Sequence, residues 1–319
     1  MKNLWLALVF LCPVLVWPQS SKHIDSLLVM LSRSSEDSTK VNLLNDLSAA
    51  YTKLDHVKAM SFARRALTTA EKIEWQEGIS RSYFRIATQY GDSFDSKKSL
   101  FYFQKALAAT SDKRQMSKIY TDAGNIKMFE SHYSQALAYY HRALEIDESL
   151  GDKSGIAKLT LNIASVYYSI RDYPKSIAFF NKSLEQKTGD QNYKATILRN
   201  LGAAYSGMGK QQKALNYFSR SLAILEKIGN MSGKSSLLSD MALTYYDMAD
   251  YAKAIRYSRL SLDAAPDGAE DKVNKAFTYG IIGDSYTEKA ALNKSSKVLL
   301  DSAGYYLNKS IDMHRQLNS

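Results

Sequence analysis

The chain copies itself. Laid over one another, Ile156–Gly189 and Lys194–Gly229 coincide at a shift of about 38 residues, matching Ile163 with Leu201, Ala164 with Gly202, Tyr167 with Tyr205, Ser176 with Ala214, Phe180 with Phe218 and Ser183 with Ser221. A period of that length holding two helical patterns predicts a stacked array of helix hairpins rather than one compact globule. With the small residue of each first helix as a ruler, copies fall at Ser48, Ala87, Gly124, Ala164, Gly202, Ala242 and Gly283, in steps of 37 to 41 residues. Each second helix carries a small–bulky–small trio spaced four then three, such as Ala136-Tyr140-Ala143 and Ala214-Phe218-Ser221. That spacing puts the trio on one helix face, where small residues let two helices approach and the ring fills the gap between turns.

These marks resemble the tetratricopeptide repeat family over nearly all of residues 38–319. Leu201, Gly202 and Tyr205 carry its first-helix pattern, and the trios carry its second. The resemblance implies an all-α fold, an α-solenoid forming a right-handed superhelix of about seven hairpins. The repeats are placed near 41–72, 79–112, 116–150, 156–188, 194–228, 234–265 and 275–316, after a leading helix or cap over 20–37. In that leader Ile24, Leu27, Leu28 and Leu31 are expected on one apolar face. The family's proline after the second helix is missing. Gly151, Gly189 and Gly229 stand there instead, each followed by Asp or Asn, which suits a left-handed C-cap and the N-cap of the next helix. The longer units are similar to the subtype of about 40 residues found in exported bacterial proteins and sensor input regions. Lys127 replaces the tyrosine expected in the third copy, and an insert around Ala290–Val298 displaces the last second helix.

Residues 1–19 (MKNLWLALVFLCPVLVWPQ) have Lys2 ahead of an apolar run broken by Pro13, the pattern of a secretory signal peptide. The expectation is a bacterial protein exported to the periplasm or secreted, with no membrane insertion after signal removal. An uncleaved anchor is the alternative, since Trp17-Pro18-Gln19 is a poor cleavage sequence. Cys12 lies in this segment and is the single cysteine, so the mature chain has neither a disulfide nor a thiol nucleophile. The net charge of +10 is spread thinly, without a basic block, which argues against nucleic acid as a partner.

Chemistry finds no motif. The five histidines lack metal-ligand spacing, no Gly-rich phosphate loop survives the repeat alignment, and the serines have no His/Asp set. The carboxylates show no paired, buried arrangement. No catalytic residue, metal or cofactor is expected. The Asn-Lys-Ser triplets at Asn181 and Asn308 read as repeat packing rather than glycosylation sites. Two features suit binding on the inner face of the first helices. Arg81, Lys118 and Lys158 each stand six residues before the ruler and Arg199 three before it, a basic ladder with Asn125, Asn162 and Asn200 beside it. Tyr168 and Tyr246 are the second members of tyrosine pairs whose first members hold repeat marks. The expected function is a non-enzymatic scaffold for a protein or peptide, acidic or carboxylate-bearing where the ladder makes the contact. The chain lacks the Lys/Arg set with which chaperone-binding members of the family clamp their partners. The alternative is an extracytoplasmic sensory input module for a histidine kinase or transcription regulator, since the sequence ends directly after its last repeat helix.

Overall fold

The computed structural model describes residues 19–186, 189–266, 268, 271–293 and 296–317; the expected signal peptide lies outside them, apart from Gln19. Among the described residues the chain is all-helical, in chain order α1 (Gln19–Ser32), α2 (Ser38–Tyr51), α3 (His56–Lys72), α4 (Gln76–Asp92), α5 (Ser96–Ala108), α6 (Lys113–Phe129), α7 (Tyr133–Leu150), α8 (Lys153–Ser169), α9 (Tyr173–Glu185), α10 (Gln191–Gly207), α11 (Gln211–Ile228), α12 (Met231–Asp247), α13 (Tyr251–Ala264), α14 (Lys272–Leu292) and α15 (Lys297–Leu317). The ruler residues fall in the even-numbered helices and the trios in the odd-numbered ones, so the architecture is an all-α solenoid of helix hairpins. The helices form two compact units, one ending at Ile146 and one beginning at Asp147.

The boundaries follow from the backbone chemistry at helix ends. Asp37, Asp55, Asp95, Asp112, Asp152, Asp172, Asp190, Asn230 and Asp250 each accept from a free backbone N–H of the first turn that follows. Gly151, Gly189 and Gly229 hold φ of +66°, +77° and +69°, the left-handed turn expected of them. The turn inside several hairpins also needs a left-handed residue. There the sequence uses Phe94, Ser131, Arg171 and Ala249 as well as Gly209.

In the first unit α1 lies on α2, and Ile24 and Leu27 join a buried cluster with Val41, Leu44, Leu47 and Phe62, with Leu31 packed at its edge. Leu28 departs from the expected face and is exposed, because it projects to the side of the Ile24–Leu27–Leu31 line. Phe84, Phe103 and Ile119 build the next layer. The second unit repeats the scheme with Phe180, Ile197 and Leu201, then with Phe218, Leu237 and Met241.

The small–bulky rule is visible atom by atom. A Cβ added to Gly202 would stand 2.4 Å from Phe218 Cε1, one on Gly124 would stand 2.6 Å from Tyr140 Cε1, and one on Gly283 would stand 2.6 Å from Leu307 Cγ. Serines in the trios also stitch the two helices together. Ser99 donates to the Ala87 carbonyl, Ser176 to Ala164, Ser183 to Ala157 and Ser221 to Ala195, at 2.8–2.9 Å. Ser183 and Ser310 of the Asn-Lys-Ser triplets are thus internal, Ser310 donating to the Ala276 carbonyl.

A second signature joins each first helix to the start of its partner. Tyr51, Tyr90, Tyr167, Tyr205 and Tyr245 stack on a ring of the second helix at 5.0–5.6 Å. Lys58, Lys98, Lys175, Lys213 and Lys253 cover the same tyrosines. Four of those lysines are also paired with the capping aspartate three residues earlier. The third copy breaks all three positions at once, with Lys127, His132 and Gln135. Lys127 pairs instead with Glu130 at 2.8 Å, and His132 meets the same carboxylate.

Candidate functional site

The first helices of the first six copies carry a polar or charged residue at one register position, two residues before the ruler. Asp46, Arg85 and Asp122 occupy it in the first unit, and Asn162, Asn200 and Asp240 in the second. Neighbouring first helices touch through side chains at other registers. Arg81 reaches Asn42 at 3.2 Å, Asn45 reaches Ser82 at 3.3 Å, Gln89 reaches Thr52 at 2.8 Å and Asn274 reaches Ser235 at 2.9 Å.

In the second unit the face opens into a cavity of about 350 Å³ between α8, α10 and α12. Tyr168 and Ser165 come from α8, Arg199, Asn200 and Ala203 from α10, and Asp240 from α12. Arg199 Nε donates to Asp240 Oδ2 at 2.5 Å, so the guanidinium is held by the next repeat. The Tyr168 ring meets Tyr173 edge-on at 5.7 Å and remains about two-fifths exposed. Burial pushes the Tyr168 phenol up, and Tyr173 and Asp240 push it further, so it stays a neutral donor. An aromatic wall, an amide and a tethered ion pair thus share one opening.

Other members of the expected set lie apart from it. Lys158 is exposed and Asn162 half-buried further along α8. Tyr246 packs on Tyr251 at 5.6 Å near the end of α12, its phenol pushed up first by burial. In the first unit Arg81 is engaged, within 3.3 Å of Glu77 and over the Trp75 ring. Lys118 lies 4.7 Å over the Phe84 ring and lines a cavity of about 490 Å³ with Arg85 and Asp122. Burial lowers the Lys118 ammonium's affinity for its proton, Arg85 and Arg81 lower it further, and Asp122 opposes them. Asn125 donates to Asp122 at 3.2 Å and accepts from the Tyr140 hydroxyl at 2.8 Å.

The ladder is therefore of mixed sign. Asp92 and Asp122 line one cavity, and desolvation raises both, Asp122 to about 6. Asp122, Arg85 and Asp240 share the register of Asn162 and Asn200, two residues before the ruler, and the repeat alignment is the signal that places them there. Among the described residues no group of three or more His, Cys, Asp or Glu side chains is placed to hold a metal ion.

The tetratricopeptide repeat family model matches residues 115–188 and 155–227. Among solved structures, a signal transduction ATPase with a tetratricopeptide repeat sensor from Pyrococcus horikoshii superposes with a TM-score of 0.62 at 16% identity, over 95% of this chain and 53% of that one. Residues 115–227 are tetratricopeptide repeats. RapI in its apo form superposes on the repeats with a TM-score of 0.59 at 18% identity, covering 75% of this chain and 98% of that one. A Rap protein complexed with Competence and Sporulation Factor gives 0.59 at 13% identity, over 94% and 93%. By sequence, the tetratricopeptide repeat chain is 21% identical over 215 residues to the 43 kDa receptor-associated protein of the synapse of Gallus gallus, 65% of this chain and 52% of that protein. The chain spans about half the length of the curated relatives it matches. As tetratricopeptide repeats the hairpins form a protein-interaction scaffold.

Proposed function

We propose that the chain is an exported, non-enzymatic scaffold that holds a protein or peptide segment against the faces of its first helices. The carrying observation is the cavity that gathers Tyr168, Arg199, Asn200 and Asp240 from three successive repeats. An asparagine amide offers one donor and one acceptor, the pair that an extended peptide backbone presents. A carboxylate on the partner would compete with Asp240 for Arg199, and Tyr168 would cover an apolar side chain. The Rap neighbour complexed with Competence and Sporulation Factor supports a ligand-holding role for such an array. Export rests on the leader pattern. Among the described residues no helix is long and apolar enough to cross a membrane.

A random dodecapeptide display library, panned on the wild-type chain, tests the site. Enriched peptides should bind the wild type and be lost on the double variant Arg199→Glu, Asn200→Asp. Peptides that bind both chains equally would remove this cavity from the reading. Fractionation tests export: recovery of the full chain from the cytosol with its leader intact would contradict it. The sensory reading draws support from the neighbour whose repeats are the sensor of a signal transduction ATPase. There the same cavity would take a signal and pass its occupancy to an output domain.

A further inference from the structure

The first unit holds a cavity that the basic ladder does not explain. It is about 400 Å³, bounded by the end of α4, the turn after it, the face of α5 and the last turns of α6. Phe94 and Phe129 form its rim, their ring centroids 5.5 Å apart, and they are 75% and 68% exposed. Large rings rarely stand so far out of a fold that could bury them. Their register equivalents in other copies are small or polar: Ser131, Arg171, Gly209 and Ala249 for Phe94, and Asp92, Ser169, Gly207 and Asp247 for Phe129. The pair therefore belongs to this one place and not to the repeat pattern.

Below the rings Ile126 and Phe103 continue the apolar wall, and Asp92 and Asp122 supply two carboxylates. Among the described residues neither carboxylate is in an ion pair. Lys118 and Arg85 act on Asp122, and His56 and Lys53 on Asp92, only through space. Desolvation makes both costly to ionise where they stand, a cost that a cation entering from solvent would offset. The amide of Asn125, fixed by the Tyr140 hydroxyl, holds Asp122 by one oxygen.

We propose that this cavity is a binding site for a basic side chain of a partner peptide, an arginine or lysine whose apolar stem lies across the paired rings of Phe94 and Phe129 and whose charge meets Asp92 and Asp122. The chemistry suits no other common group as well. An acidic side chain would meet two carboxylates, and a purely apolar one would bury both without a partner. A long cationic side chain has an apolar stem and a charged tip, and guanidinium planes also stack on ring faces. The site is distinct from the cavity of Arg199 and Asn200, and each can fail without the other.

Two capped tripeptides test it, N-acetyl-Gly-Arg-Gly-amide and its neutral citrulline counterpart, titrated to about 10 mM against the full chain by saturation-transfer NMR, a range that suits a single side chain. The arginine peptide should bind the wild type and the Arg199→Glu variant alike, and should outbind the citrulline peptide by roughly tenfold or more. Asp92→Asn with Asp122→Asn should remove that preference. Phe94→Ala with Phe129→Ala, which alters only exposed rings, should weaken the arginine peptide by a similar factor of about ten. Melting curves taken on both double variants separate loss of binding from loss of fold. Equal affinity for the two peptides, binding unchanged in either double variant, or no wild-type binding at the top concentration would overturn the proposal.

Discussion

At the scale of single residues, Asp122 is the group whose chemistry is most altered by its surroundings. Desolvation raises its pKa from 3.8 to about 6, against the pull of Lys118, Asn125 and Arg85, and Asp92 adds to the rise. A carboxyl group with a raised folded pKa binds its proton more tightly in the folded chain than in the unfolded one. Its ionisation therefore costs stability, and that cost develops as pH climbs from the ordinary carboxylate value through about 6. Asp122→Asn removes the charge and keeps the shape. Urea denaturation should show the variant gaining on the wild type between about pH 4 and pH 7. A difference that stays flat, or that favours the wild type at the higher pH, would mean that Lys118 and Arg85 hold the carboxylate ionised. Little of this was legible beforehand. The tyrosine pairs, Arg199 and Asn200 could be placed on an inner face by counting from the ruler. Counting could not say that Arg199 closes on Asp240, or that Asp92 and Asp122 converge from different repeats, because side-chain reach across a helix interface is not a property of either helix alone.

Within the helix hairpin, the contact that sets the spacing is a small residue against a ring. At Gly202 even one methyl group would press on Phe218, which is 1% exposed and has no room to turn. Gly202→Ala should cost about 1–3 kcal/mol, as overpacking does. Gly304 also lies within a helix, but an added Cβ meets nothing within 4 Å. Gly304→Ala should gain about 0.5–1 kcal/mol from helix propensity. Thermal melts of the pair give the test, and a matching sign at the two glycines would sink the packing argument. The third hairpin allows a further one. Lys127→Tyr alone leaves Glu130 without its 2.8 Å partner, whereas adding His132→Asp and Gln135→Lys rebuilds the stacked and capped turn of the other copies. The triple variant should melt above the single one; a lower midpoint would show that the local ion pair outweighs the repeat's own arrangement. This level was the most legible in the sequence. The trio, the ruler and the glycine C-caps follow from periodicity, and Gly151, Gly189 and Gly229 take the left-handed backbone expected of them. The left-handed Phe94, Ser131, Arg171 and Ala249 were not legible, since such residues adopt that conformation only when the helices on both sides require it.

At the scale of the whole molecule, each hairpin is supported by its neighbours. Inside each unit, side chains about one period apart meet, as Asn45 meets Ser82 and Asn274 meets Ser235. Apolar layers likewise join successive hairpins, Phe180 to Ile197 and Phe218 to Leu237. Stability in such an array is a sum of repeat and interface terms, so damage at one hairpin should stay close to it. The period announced this organisation from sequence, while the partner chemistry depends on which unlike residues are set side by side. Residue-resolved hydrogen exchange on Gly202→Ala is the most direct measurement of the central claim. Within the second unit, protection should fall most in α10 and α11, less in α8, α9, α12 and α13, and least in α14 and α15. An equal loss of protection in every helix of that unit would show a single cooperative core, and would contradict the reading of the chain as hairpins held up by their neighbours.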